Sequence, residues 1–94
     1  MSRELSGVIA CLQQIEIAAA RLEEAVLIPV KKLIQEFFRT ADVEKAREIL
    51  EVLEDLMSEA DAAAWREREI EVDGVRTYLQ RLTEELAEVL EDLG

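Results

Sequence analysis

The chain has 94 residues, half of them apolar, 35% charged and only 4% aromatic, and a formal net charge of −11. Such a length makes one domain with one core, and a chain rich in Leu, Ala, Glu, Ile and Val, with three glycines and one proline, reads as helical. The single cysteine, Cys11, excludes an intrachain disulfide, and the absence of histidine removes Ser-His and Cys-His nucleophile pairs, His-ligated zinc and the Glu-x-x-His di-iron pattern.

Charge divides the chain in two. Residues 1–40 hold five basic and five acidic side chains, whereas residues 41–94 hold six and seventeen, so the whole excess lies in the second part. Binding to nucleic acid needs a basic face that displaces counterions from phosphates, and docking on anionic lipid needs the same. Neither direct nucleic-acid binding nor membrane docking is therefore expected. No uninterrupted apolar run approaches ~20 residues, and no basic stretch leads into a signal-like apolar segment. The cytoplasm is the expected compartment, consistent with one unpaired cysteine.

In chain order, Ser2 suits a helix N-cap, and Glu4 stands in the first turn. Leu5, Val8, Leu12, Ile15, Ala19, Leu22 and Val26 then alternate spacings of three and four, a heptad seam. Pro29 interrupts the next apolar stretch, where it forces a kink or a break at Leu27–Ile28 with Pro29 opening a second segment. Because periodicity continues through Leu33 and Phe37, a kink in one helix over about 2–39 is the favoured reading. Around that proline Val26, Leu27, Val30, Leu33, Ile34, Phe37 and Phe38 spread over about half a helix circumference, wider than the ~100° stripe of a surface helix.

Thr40-Ala41-Asp42-Val43-Glu44 marks a boundary, after which Ala46, Ile49, Leu53, Leu56, Ala60 and Ala63 form the seam of a second helix over about 42–72. A third, over about 75–93, carries an offset seam of Val72, Val75, Leu79, Leu82, Leu86, Val89 and Leu93. The break is placed at Asp73-Gly74, with Ser58-x-x-Asp61, an acid variant of the capping box, as the competing place. A minority alternative makes Ile70 to Thr77, alternating around that Asp-Gly pair, a short β-hairpin between helices.

The fold expected is all-α: an antiparallel three-helix subunit whose long first helix dimerises it into a larger bundle. A straight helix over 2–39 would be about 57 Å long at 1.5 Å per residue, and two shorter partners cannot cover its broad apolar side. A second copy of the chain is the simplest cover, with Val26, Leu27, Val30, Leu33, Ile34, Phe37 and Phe38 as the self-association residues.

Opposite the seams lie the acids. Glu44, Glu48, Glu51 and Asp55 on the second helix, with Glu84, Glu88 and Glu91 on the last, are the candidate surface for a basic partner protein; the alternative is a merely solvated face. Glu16 and Glu23 lie beside the first seam, either as interior carboxylates or as edge groups pairing with Arg47, Arg66, Arg68 or Arg76. Trp65 reads as core or as a binding anchor. Glu84-Glu85-Leu86-Ala87-Glu88 fits half of the signature of all-α, magnesium-dependent nucleotide pyrophosphatases. However, no Glu-x-x-Asp motif follows on a later helix, and Glu23-Glu24 lacks a third carboxylate because residue 27 is leucine. No catalytic, cofactor or metal residue is assigned. The function expected is a non-catalytic interaction or adaptor module, homo-oligomeric through its first helix and acidic outside. An acidic, nucleic-acid-mimicking inhibitor of a DNA- or RNA-binding protein is the alternative, and a magnesium-dependent nucleotide hydrolase comes third.

Overall fold

Proline decides the course of the first forty residues. A continuous helix through Pro29 would lose one backbone hydrogen bond and press the pyrrolidine ring on the carbonyl of Ala25. The computed structural model, which describes residues 2–22, 25–58, 69–72 and 74–93, resolves this with a break rather than a kink. Helix α1 spans Ser2–Leu22, a 3-10 turn spans Ala25–Leu27, and α2 spans Ile28–Thr40 with Pro29 in its first turn, where no N–H is needed. Leu27, at φ −91° and ψ −2°, makes the junction.

The expected 38-residue helix is thereby corrected to two shorter ones, and the long axis of the molecule is 37 Å. Helix α2 runs back beside α1, since Glu16, Ile17 and Ala20 line one groove with Lys31 and Gln35. In a straight helix Glu16 and Gln35 would stand about 28 Å apart.

Helix α2 ends on Ala41, which takes the left-handed conformation at φ 57° and donates its N–H to the Phe37 carbonyl at 2.6 Å. Asp42 then caps α3, Val43–Ser58, its Oδ1 accepting the Glu44 N–H at 3.0 Å. The boundary expected at 40–44 stands. On α3 the seam residues Ala46, Ile49, Leu53 and Leu56 are buried, while Ala60, Ala63 and Trp65 lie outside the described residues.

The sequence places the meeting of the second and third helices at Asp73-Gly74, but residues 69–72 and 75–78 form strands instead. Strand β1, Glu69–Val72, pairs antiparallel with β2, Val75–Tyr78, in the register Glu69↔Tyr78 through Val72↔Val75. The minority reading of this stretch is the structure. Four β-branched residues, Ile70, Val72, Val75 and Thr77, alternate along the two strands, and Gly74 accepts φ +79° at the two-residue turn. An isolated hairpin is marginal in water; this one packs β1 on α1 and runs from β2 directly into α4, Leu79–Leu93. Val75 is 65% exposed, which removes it from the third seam. Thr77 is buried instead.

The class is all-α, with four helices among the described residues and the hairpin inserted before the last. Helix α1 packs chiefly on α4 and α2 on α3, while α3 touches α4 and closes the bundle. Val8, Leu12, Ile15, Ile34, Phe37, Ile49, Leu53, Leu82 and Leu86 form one core of fully enclosed side chains.

The α2–α3 turn holds one unfavourable and one favourable residue. Left-handed backbone costs a non-glycine residue about 1 kcal/mol, so Ala41→Gly is expected to stabilise the chain by up to about 1 kcal/mol. Asp42→Ala, which removes the cap, should destabilise it by about 1 kcal/mol. Urea unfolding midpoints of the two variants should move in opposite directions.

Candidate functional site

The period of α3 that turns Ala46, Ile49, Leu53 and Leu56 inward leaves Glu44, Glu48, Glu51, Glu54 and Asp55 exposed. Those acids are not equivalent. Arg47 meets Glu44 at 3.6 Å, and Lys45 lies 3.3 Å from Glu36 and 3.7 Å from Glu48. Bonding to Glu36, with the field of Glu48, holds the Lys45 ammonium above its ordinary pKa. The bases therefore gather at the start of α3. Among the described residues no ion pair reaches Glu51, Glu54 or Asp55.

Two grooves flank this helix. The first, about 550 Å³, lies between α2 and α3 and is lined by Glu48, Glu51, Glu54 and Asp55 together with the half-buried Leu33 and Val52. The second, about 410 Å³, lies between α3 and α4, where Glu54, Met57 and Ser58 face Gln80, Thr83, Glu84 and Ala87. Glu54 belongs to both, so the grooves meet across one side chain. Each combines a carboxylate rim with apolar side chains beneath it.

Of the candidate partner residues, Glu48, Glu51 and Asp55 come together in the first groove, and Glu84 reaches the second. Glu88 and Glu91 continue from Glu84 on exposed turns of α4, while Glu44 stands apart with Arg47. Sequence reasoning missed Glu54 as the joint between grooves, and Val52, Met57 and Ala87 beneath them. Their near-seam positions could have suggested half-burial, but not which neighbouring helix they face.

The self-association residues divide differently. Leu27, Val30, Ile34 and Phe37 are buried within the chain, Leu33 is half-buried, and only Val26 and Phe38 are exposed, at 42% and 39%. The break before Pro29 lets α1 and α3 cover what one long helix would have left bare. Phe38 packs edge-on to Phe37, ring centroids 5.8 Å apart. Glu16 is half-buried in the α1–α2 groove with Lys31, and Arg76 bonds Glu69 at 2.7 Å within the hairpin. Glu23, Arg66 and Arg68 lie outside the described residues. No group of three or more metal-ligating side chains converges among the described residues.

Comparison with protein-family models, with curated proteins and with solved structures finds no match for the chain.

Cys11 is structural in its surroundings. Its Sγ lies 3.6 Å from the Leu82 carbonyl, tying α1 to α4, and burial, reinforced by the Glu85 carboxylate, pushes its thiol up to about 12. At pH 8 the thiolate fraction is then on the order of 10⁻⁴, against roughly a quarter for an ordinary thiol. Alkylation by iodoacetamide at pH 8 is expected to be at least about a hundredfold slower in the native chain than in urea; equal rates would show an accessible thiol.

Proposed function

We propose that the chain is a non-catalytic interaction module whose acidic α3–α4 face takes a basic amphipathic helix of a partner protein. The observation that carries this reading is the pair of grooves joined at Glu54, each with carboxylates above apolar side chains. An amphipathic helix lays its apolar side in such a groove and its charged side along the rim. Here Leu33 and Val52, or Met57 and Ala87, would receive leucine-like side chains, while Glu48, Glu51, Glu54, Asp55 and Glu84 would meet lysines and arginines. Unpaired acids also raise the local concentration of a basic partner and speed its approach. Rows of carboxylates alone would serve a nucleic-acid mimic. The apolar groove residues favour a peptide over that alternative.

The test uses a synthetic lysine–leucine amphipathic helical peptide, titrated calorimetrically into the full chain at low and at physiological salt. Glu51→Lys with Glu54→Lys is expected to weaken binding at least tenfold, equivalent to about 1.4 kcal/mol. Val52→Asp, which charges the groove while leaving the buried seam intact, should weaken it similarly. Glu88→Gln with Glu91→Gln, beyond the grooves, should change it less than threefold. Equal losses from both acidic pairs would show diffuse charge attraction rather than a groove.

A further inference from the structure

Each helix supplies a comparison for the others. Every exposed residue of α4 is charged: Arg81, Glu84, Glu85, Glu88, Glu91 and Asp92. On α3 all but Ser58 are. Helix α2 breaks this rule in part, exposing Ile28, Pro29, Gln35, Phe38 and Thr40 beside Lys32 and Arg39, and α1 breaks it through its whole middle. Between Leu5 and Ala20 its exposed residues are Ser6, Ala10, Gln13 and Ala20, with Ile9 and Ile17 half-buried beside them, and Glu16 is the sole charged side chain in that span. Ser6, Ala10, Gln13 and Ala20 recur at heptad-like spacing turned away from Val8, Leu12, Ile15 and Ala19, which face the core, while Ile9 and Ile17 flank them and pack in part against that core. In a chain with 35% charged residues, an outer helix face without charge is a departure that the fold itself does not require.

We infer that this face of α1 is where a second copy of the chain docks, antiparallel, about a twofold axis near Gln13. Two features select a twin over another occupant. The first is charge: two copies repel wherever their 41–94 surfaces approach, whereas residues 1–40 sum to zero. The second is self-complementarity, which an isologous contact demands. Reversal about Gln13 sets Ile17 on the partner's Ile9 and Ala20 on the partner's Ser6, and it places Glu16 over the partner's Ala10. Small residues there admit close helix approach, with axes about 8 Å apart. Glu16 shares the α1–α2 groove with Lys31, which supplies a counter-charge beside the contact. A bilayer is the competing occupant, since Leu5–Leu22 is long and apolar enough to cross one and a third of it is buried inside the chain; the −11 charge opposes approach to anionic lipid.

Sedimentation equilibrium of the full chain is expected to give twice the 10.7 kDa chain mass. Ala10→Glu, which would face the partner's Glu16, should weaken the dimer at least a hundredfold with unchanged helicity by circular dichroism. In a Cys11→Ser background, Gln13→Cys should oxidise to a disulfide-linked dimer, while Ala20→Cys should not, its two copies lying about 21 Å apart along the antiparallel pair. The Gln13→Cys result decides the matter even if Ala10→Glu unfolds the chain. A wild-type monomer at ~1 mM, a dimer broken by Phe38→Glu but not by Ala10→Glu, or a monomer that pellets with phosphatidylcholine vesicles would each overturn the proposal.

Discussion

A missing N–H at Pro29 governs this molecule more than any favourable contact does. With no donor at that position and a ring where the preceding turn's carbonyl would stand, the apolar stretch after Leu22 cannot extend α1 and must restart. The restart places Pro29 where helices tolerate it and sends α2 back along α1. Only because of that reversal can Leu27, Val30, Ile34 and Phe37 be covered by the chain's own helices.

Surfaces follow from this closure. With Val30, Ile34 and Phe37 of α2 turned into the core, two unlike surfaces stand out on the other helices. One is the acidic flank of α3 and α4, cut by grooves that meet at Glu54. The other is the outer side of α1 between Ser6 and Ala20, where the exposed residues carry no charge. Their separation lets the proposed partner helix and the proposed twin subunit engage different parts of the bundle, and their chemistries keep them apart: like charge resists self-contact on the first, and the second offers little to a basic ligand. Surface ion pairs such as Arg47–Glu44 add little, at most about 1 kcal/mol each, so the core holds the fold and the carboxylates remain available.

Seams at spacings of three and four were legible in the sequence wherever a helix buries one stripe: Val8 to Ala19, Ala46 to Leu56 and Leu79 to Leu86 all face inward. The Asp42 cap was legible too, because a short carboxylate before Val43 has an evident local role. Two misjudged places share a cause. Periodicity carried through Pro29 and through Glu69–Val72 because apolar residues at helical spacing say nothing about backbone donors or turns. At Pro29 the lost hydrogen bond outweighed the periodic pattern; at Gly74 a glycine at positive φ, flanked by β-branched residues, turned a helix boundary into a hairpin. Half-buried groove residues such as Val52 and Met57 were illegible, because their neighbours lie on other helices and no local spacing reports them.

The direction of the chain after Leu22 is open to one decisive distance. Spin labels at Ser6 and Arg39, in chains diluted with unlabelled protein so that only intramolecular pairs are read, measure it by double electron–electron resonance. A helix reversed before Pro29 holds the labels within the 37 Å long axis of the molecule. A separation near 50 Å, the length of 33 residues of unbroken helix, would contradict the reversal and leave the apolar side of α2 uncovered.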